Sequence, residues 1–194
     1  MSRKRFDALL SATGLVLDIL LLAAGGLLTW GNQFLGNQVH DQLAAQKIFI
    51  PPVGSPALAS PEIKPYLSQY AGQQLTTGAQ AQAYADHFIG VHLKEISGGK
   101  TYAELSKAAQ AEPANTKLAA TVNTVFKGET LRGLLLNAYA FGTMARIAAI
   151  AAFAAFTGAV VLLLLSALGL AHLRRTSTDT DIVVPRWHPE AHAV

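Results

Sequence analysis

Two apolar runs, one near each end, dominate the hydrophobic pattern of this chain. Ile147 to Leu170 reads IAAIAAFAAFTGAVVLLLLSALGL and contains no charged residue. About twenty such residues, at 1.5 Å rise each, cross a bilayer core of about 30 Å. A water-soluble core helix would carry a polar stripe, and this run carries only isolated Thr157 and Ser166. The second apolar run, Ala8 to Leu28, follows a basic head that includes Arg3, Lys4 and Arg5. A signal peptide starts the same way, with Ala24 and Gly26 as small residues for cleavage, but the run exceeds the usual h-region and favours an uncleaved anchor. Arg3–Arg5 beside one span and Arg174 and Arg175 beside the other put both tails in the cytoplasm. The intervening segment then lies outside, with Trp30 at the outer interface. Its own eight Lys/Arg do not count against this, because long translocated segments escape the rule.

Between the runs the pattern is helical throughout. Phe34, Leu35, Val39 and Leu43 recur at three- and four-residue spacing, so the first helix should continue out of the membrane to about Lys47, with local weakening at Gly31 and Gly36. Four prolines make Ile48 to Pro61 a loop whose apolar residues need a surface. Ser60-Pro61 reads as an N-cap and first helical position for a short helix. Thr77 with Gln80 and Thr101 with Glu104 have capping-box spacing. The first box opens a helix with Tyr84, Phe88, Val91 and Leu93 near one face, stopped at Gly98-Gly99. Pro113 and Asn115 start another, with Gly128 as its expected C-cap, and the chain re-enters helix near Glu129. No strand-like alternation appears, and the tail after Arg175 reads as disordered, with Trp187 touching the inner interface.

The expected fold is an all-α membrane protein: two long antiparallel transmembrane helices extended into a small helical extracytoplasmic domain. The segments are a head (1–7), first span (8–30), outer domain (31–145), second span (146–171) and tail (172–194). Composition agrees, with 51% hydrophobic and 14% charged residues against about 25% charged in ordinary soluble domains. The absence of cysteine removes disulfides, thiol catalysis and Cys-based zinc or iron–sulfur sites. A net charge of +3, with basic residues beside the spans, points to topology and not to nucleic acid.

Asp18 is the most informative polar residue, interrupting GLVLDILLL inside the first span. A carboxylate there costs roughly 2.5–3.5 kcal/mol on insertion scales unless it is protonated or partnered. It reads as an intramembrane contact within the hairpin, with Thr157 the nearest in-chain candidate, as a contact to another subunit, or as a proton relay. Ala151, Ala155 and Ala159 recur every fourth residue, and Gly25 and Gly26 lie in the same leaflet, as close helix packing requires. The histidines suggest no metal site: His87 and His92 diverge by about 140° on an α-helix, and His92 with Glu95 makes only two ligands. Gly98-Gly99-Lys100-Thr101 ends like a phosphate loop, but Lys94 stands where its first glycine belongs. No catalytic, cofactor or metal residue is therefore assigned.

The basic head, the first span, FIPPVGSPAL, QLTTGAQAQAYADHFIGVHL and the closing span together resemble a group of uncharacterised actinobacterial membrane proteins. The resemblance implies a cell-envelope setting and carries no activity with it. Some proteins of that kind bear the label of aromatic-ring-opening dioxygenase, whose two-histidine, one-carboxylate iron site the spacing here does not assemble. The expected role is a non-enzymatic accessory or scaffolding subunit, partnered by the lipid bilayer and by other membrane subunits or further copies of itself. A sensor or ligand-binding module signalling through a partner is the alternative, and a metal-dependent enzyme the third.

Overall fold

The computed structural model of the protein describes residues 3–175; Ser2 and the tail with Trp187 lie outside the described residues. The described chain is all-α, and two of its helices are long and apolar enough to cross a membrane. Helix α1 runs Arg3–Ala45 and helix α6 runs Thr116–Arg175. Between them lie α2 (Lys64–Leu67), α3 (Gly78–Tyr84), α4 (Gly90–Ser97) and α5 (Tyr102–Ala111), with 3₁₀ turns at Pro56–Leu58 and Ser68–Tyr70. A π-helical segment, Ala85–Ile89, joins α3 to α4. The chain divides into two compact units. One joins the first residues of α1, through Thr29, to α6 from Ile150 onward; the other is Trp30–Ala149.

In the first unit, buried Ser11, Asp18 and Gly25 and half-buried Asp7, Gly14, Leu21 and Leu28 follow alternating steps of four and three along α1, with Ala8, Ala24 and Thr29 half-buried beside them. On α6, Ala152, Ala155, Ala159, Leu162, Ser166 and Gly169 keep the same rhythm. A 3.5-residue repeat keeps one seam facing its neighbour along two helices. Ser11 sits over Gly169 and Ser166 over Gly14, while Leu21 meets Gly158 and Gly25 meets Phe156. Ser–Gly pairs bring the backbones close where a larger side chain would hold them apart.

The second unit is organised on the remainder of α1 and α6. Val39, Leu43, Leu75, Ala81, Ala85 and Leu135 form one apolar cluster among α1, α3 and α6. The proline loop finds its surface in a second, where Ile50, Leu58, Ile63 and Leu67 pack on Val91, Tyr84 and Phe88. Leu93, Leu105 and Val125 form a third, joining α4, α5 and α6. Phe49 and Gln74 form an isolated antiparallel bridge, and Leu75 N–H donates to the Ile48 carbonyl at 2.9 Å. Helix α1 ends at Ala45, Lys47 in the turn beyond it takes the left-handed conformation (φ 53°), and Gln74 Nε2 donates to the carbonyl of Ala44 at 2.8 Å. The Ala44 carbonyl also accepts the Lys47 N–H at 3.1 Å, so the Gln74 side chain adds a second donor at the helix end.

Several expectations change here. Gly128 is not a C-cap: α6 passes through it, because the bare glycine gives Leu93 a seat. The expected break before Glu129 is therefore absent. Ser60 does accept Glu62 N–H at 3.3 Å, yet Pro61–Ile63 form a turn and α2 starts at Lys64, with Pro65 in its first turn. Leu93 leaves the Tyr84–Phe88–Val91 face, since five residues after Phe88 it points about 140° away in α geometry. It packs on α6 instead.

Both capping boxes form. Gln80 Oε1 accepts the N–H of Thr76 and of Thr77 at 2.9 and 3.0 Å, and Gln80 N–H donates to the Thr77 hydroxyl at 3.2 Å. At α5, Glu104 Oε2 accepts from Thr101 N–H and Oγ1, both at 2.8 Å. The backbone donor of Thr101, then its hydroxyl, hold the Glu104 carboxyl below its ordinary range. A depressed folded-state pKa contributes stability above the unfolded value and loses it as pH falls through the folded one. The first turn of α5 should therefore fray on acidification below the usual glutamate range, seen as faster amide exchange at Thr101 to Leu105. Glu104→Gln keeps the box geometry and should remove that pH dependence; an unchanged acid response in the variant would contradict the assignment.

Candidate functional site

Two places concentrate polar chemistry, one in each unit. In the second unit a cavity of about 700 Å³ opens among α2, the π-helical segment, α4 and α6. That volume lies within the usual range for small-molecule sites. Tyr66 and His87 form one wall as a parallel stack, ring centroids 3.4 Å apart and planes 2° apart. His87 and Asp86 stand on the π-helical segment, whose wider turn is marked by Gly90 N–H reaching the carbonyl of Ala85. Such segments recur at functional sites because they re-aim side chains that a regular helix would place elsewhere.

Asp86 crosses to α6, where its Oδ1 accepts from Arg132 Nη2 at 3.0 Å. Glu129 adds a longer contact to Nη1 at 3.5 Å. The hydrogen bond with Asp86 holds the Arg132 guanidinium further toward its charged form, against the opposing effect of burial. Arg132 Nε is buried with no acceptor. Lys94 and Lys100 complete the rim. The cavity thus offers an aromatic wall, one internally neutralised guanidinium and two lysines. Among the described residues, the His87 ring is stacked on Tyr66 and makes no hydrogen bond to the Ser97 or Thr101 hydroxyls that also line the cavity.

The two histidines of DHFIGVHL have separate surroundings. His92 Nδ1 donates to the Phe88 carbonyl at 2.7 Å, and its ring tilts against Phe88, whereas His87 faces Tyr66. Among the described residues no three His, Asp or Glu side chains gather into a metal-holding group. Thr101 after Gly98-Gly99-Lys100 spends its N–H and hydroxyl on Glu104, leaving no phosphate cradle there.

In the first unit, Asp18 is only 5% exposed and turned into the seam. In the α1 sequence it lies between Gly14, under Ser166, and Leu21, beside Gly158. Its Oδ1 is buried without a hydrogen-bond partner. Thr157 is not brought to it: the Thr157 hydroxyl is exposed and donates to the Phe153 carbonyl at 2.8 Å. Of the small residues, Ala155, Ala159 and Gly25 are buried in the seam, Ala159 at 1% exposure. Ala151 is only half-buried, with Ala152 taking the seam position, and Gly26 is exposed with open space beside it. A four-residue ladder advances 40° per step around an α-helix, so 151, 155 and 159 cannot all follow a 3.5-residue seam.

Sequence reasoning missed Ser11, Gly14, Ser166 and Gly169. Their signal was present as serine and glycine in heptad register with Asp18, hidden by the leucines around them. No family model, no curated protein and no solved structure matches the chain.

Proposed function

We propose that this is an integral membrane protein with two antiparallel transmembrane helices, both ends in the cytoplasm and the Trp30–Ala149 unit outside. Its role is that of a non-enzymatic accessory or scaffolding subunit of a cell-envelope assembly. The observation that carries the membrane reading is the surface of the helix pair. In the most apolar windows of α1 and α6 only 17% is buried within the chain. Leu9, Leu10, Ile19, Leu20 and Leu27 on α1, and Ile150, Phe153, Leu164 and Leu168 on α6, are exposed. Soluble monomers rarely expose a contiguous apolar surface beyond a few hundred Å². The antiparallel reading rests on the order of contacts, in which rising numbers on α1 meet falling numbers on α6. The cytoplasmic placement rests on Arg174 and Arg175, both exposed at the end of α6.

A role in assembly is favoured by a groove of about 450 Å³ between α1 and α6 in the second unit, walled by Phe34, Leu35, Leu134 and Phe141 and edged by glutamines. Phe34 and Phe141 are each half-exposed there. An aromatic-lined groove with a polar edge has the anatomy of a protein-binding surface.

Single cysteines test the topology. A thiol at Ser68, which is exposed, should react with an impermeant reagent in intact cells, and thiols at Ser2 and Ser177 should not. Reaction at Ser177 without reaction at Ser68 would invert the arrangement. A photoreactive residue at Phe141 should then give a discrete protein adduct in membranes, and lipid adducts alone would refute the scaffolding role.

A further inference from the structure

Within the first unit, the polar side chains turned into the seam lie on one side of Asp18 only. From Asp18 toward the first residues of α1, the seam carries Ser166, Ser11 and Asp7, all buried or half-buried. From Asp18 in the other direction it carries Leu21, Gly25, Leu28, Ala159, Ala155 and Ala152. Both sides are close-packed, and they differ in what makes the contact: a Cβ on Gly25 would stand 2.9 Å from the Phe156 ring, whereas one on Gly169 would stand 2.7 Å from the Ser11 hydroxyl. The carboxylate at the junction has a buried oxygen with no donor. A buried polar atom left unpaired is costly, so Oδ1 calls for a donor not supplied by either helix.

We propose that Asp18 is a proton-binding site, loaded from the Asp7 end of the helix pair past Ser11 and Ser166 and closed toward Gly25. Loading moves one proton from water onto the Asp18 carboxylate, giving a neutral carboxylic acid and so removing a buried charge that no donor compensates. Unloading returns that proton to water, and no other bond changes. A proton fits better than a metal ion, because hard cations take six or more oxygen ligands and no three His, Asp or Glu side chains gather here among the described residues. No titratable group faces Asp18 from α6; His172, Arg174 and Arg175 lie beyond Gly169, at the Asp7 end. On α1, Asp7 is eleven residues away, about 16 Å along the helix. Its own Oδ2 is buried without a partner, which marks it as the outer stage of the same path. Hydroxyls accept and donate at once, so Ser11 and Ser166 are suited to pass a proton between the two carboxylates. The inference goes beyond the scaffolding role and is independent of which way the pair is oriented.

Infrared difference spectroscopy of the full chain in mild detergent tests it. Wild type should show a protonated-carboxyl C=O band that is missing from Asp18→Asn and displaced in Asp18→Glu. Transfer into deuterated water should shift the band. The Ser11→Ala/Ser166→Ala double variant should keep the band and slow its shift about tenfold, the cost of ~1.4 kcal/mol on the barrier. A purely structural role for the serines would alter thermal stability and leave the exchange rate alone. An absent Asp18 band, a band that never exchanges, or equal exchange rates with and without the serines would each overturn the proposal.

Discussion

Leu135→Ala is expected to cost about 2–5 kcal/mol of stability, the range for truncating a fully buried leucine without collapse of the site around it. Leu135 is 1% exposed and lies in the cluster with Val39, Leu43, Leu75, Ala81 and Ala85, where α1, α3 and α6 meet. Its neighbour Leu134 is 57% exposed, and Leu134→Ala should change stability by no more than about 0.5 kcal/mol. Two adjacent leucines of identical intrinsic propensity therefore separate packing from helix formation. Denaturant unfolding of the full chain in detergent, followed by helical signal, measures both. Equal losses would mean that the cluster does not hold α3 and α1 to α6.

Gly78→Val is the second large effect, and its partner is backbone. A Cβ at Gly78 would stand 3.1 Å from the Ala138 carbonyl oxygen and 3.2 and 3.3 Å from the Cα atoms of Tyr139 and Gly142. A flexible side chain could move aside; the backbone of a 60-residue helix cannot. Overpacking of this kind costs typically about 1–3 kcal/mol, and valine adds two further carbons beyond the Cβ. Gly133→Ala provides the opposite sign. Its Cβ meets nothing within 4 Å, and alanine in a helix interior stabilises by roughly 0.8–1 kcal/mol relative to glycine. Amide exchange at Gln80 and Ala81, whose N–H groups bond back to Thr77, should quicken in Gly78→Val and not in Gly133→Ala. Protection unchanged at those amides would show that α3 does not rest on α6 through glycine.

The contrast between these two glycines explains what could be read in advance. The capping boxes at Thr77 and Thr101, the stop at Gly98-Gly99 and the continuation of α1 to Ala45 all depend on groups within one helical turn. Gly98 and Gly99 both adopt positive φ, 62° and 78°, as a helix stop of this kind demands. Gly128 looked the same along the chain, yet it stays helical because Leu93 lies 35 residues away in sequence and against it in space. The π-helical segment belongs with it. Nothing between Ala85 and Ile89 announces a wider turn, and its consequence, Asp86 reaching Arg132, spans 46 residues.

For the helix pair the boundary runs through single residues. Sequence alone identifies two apolar runs, an acidic residue inside one of them and small residues along both, because composition and local spacing need no partner. It cannot say which way Asp18 points: a 100° step per residue leaves every face of an apolar helix equally plausible when lipid and helix neighbours are both apolar. Tertiary structure decides that Asp18 turns inward, that Thr157 and Gly26 turn out, and that Ala152 replaces Ala151 in the seam. The choice is made by the whole register of Ser11 with Gly169, Gly14 with Ser166 and Gly25 with Phe156 taken together. No one of those contacts is large, but a slip of one residue would lose them all at once.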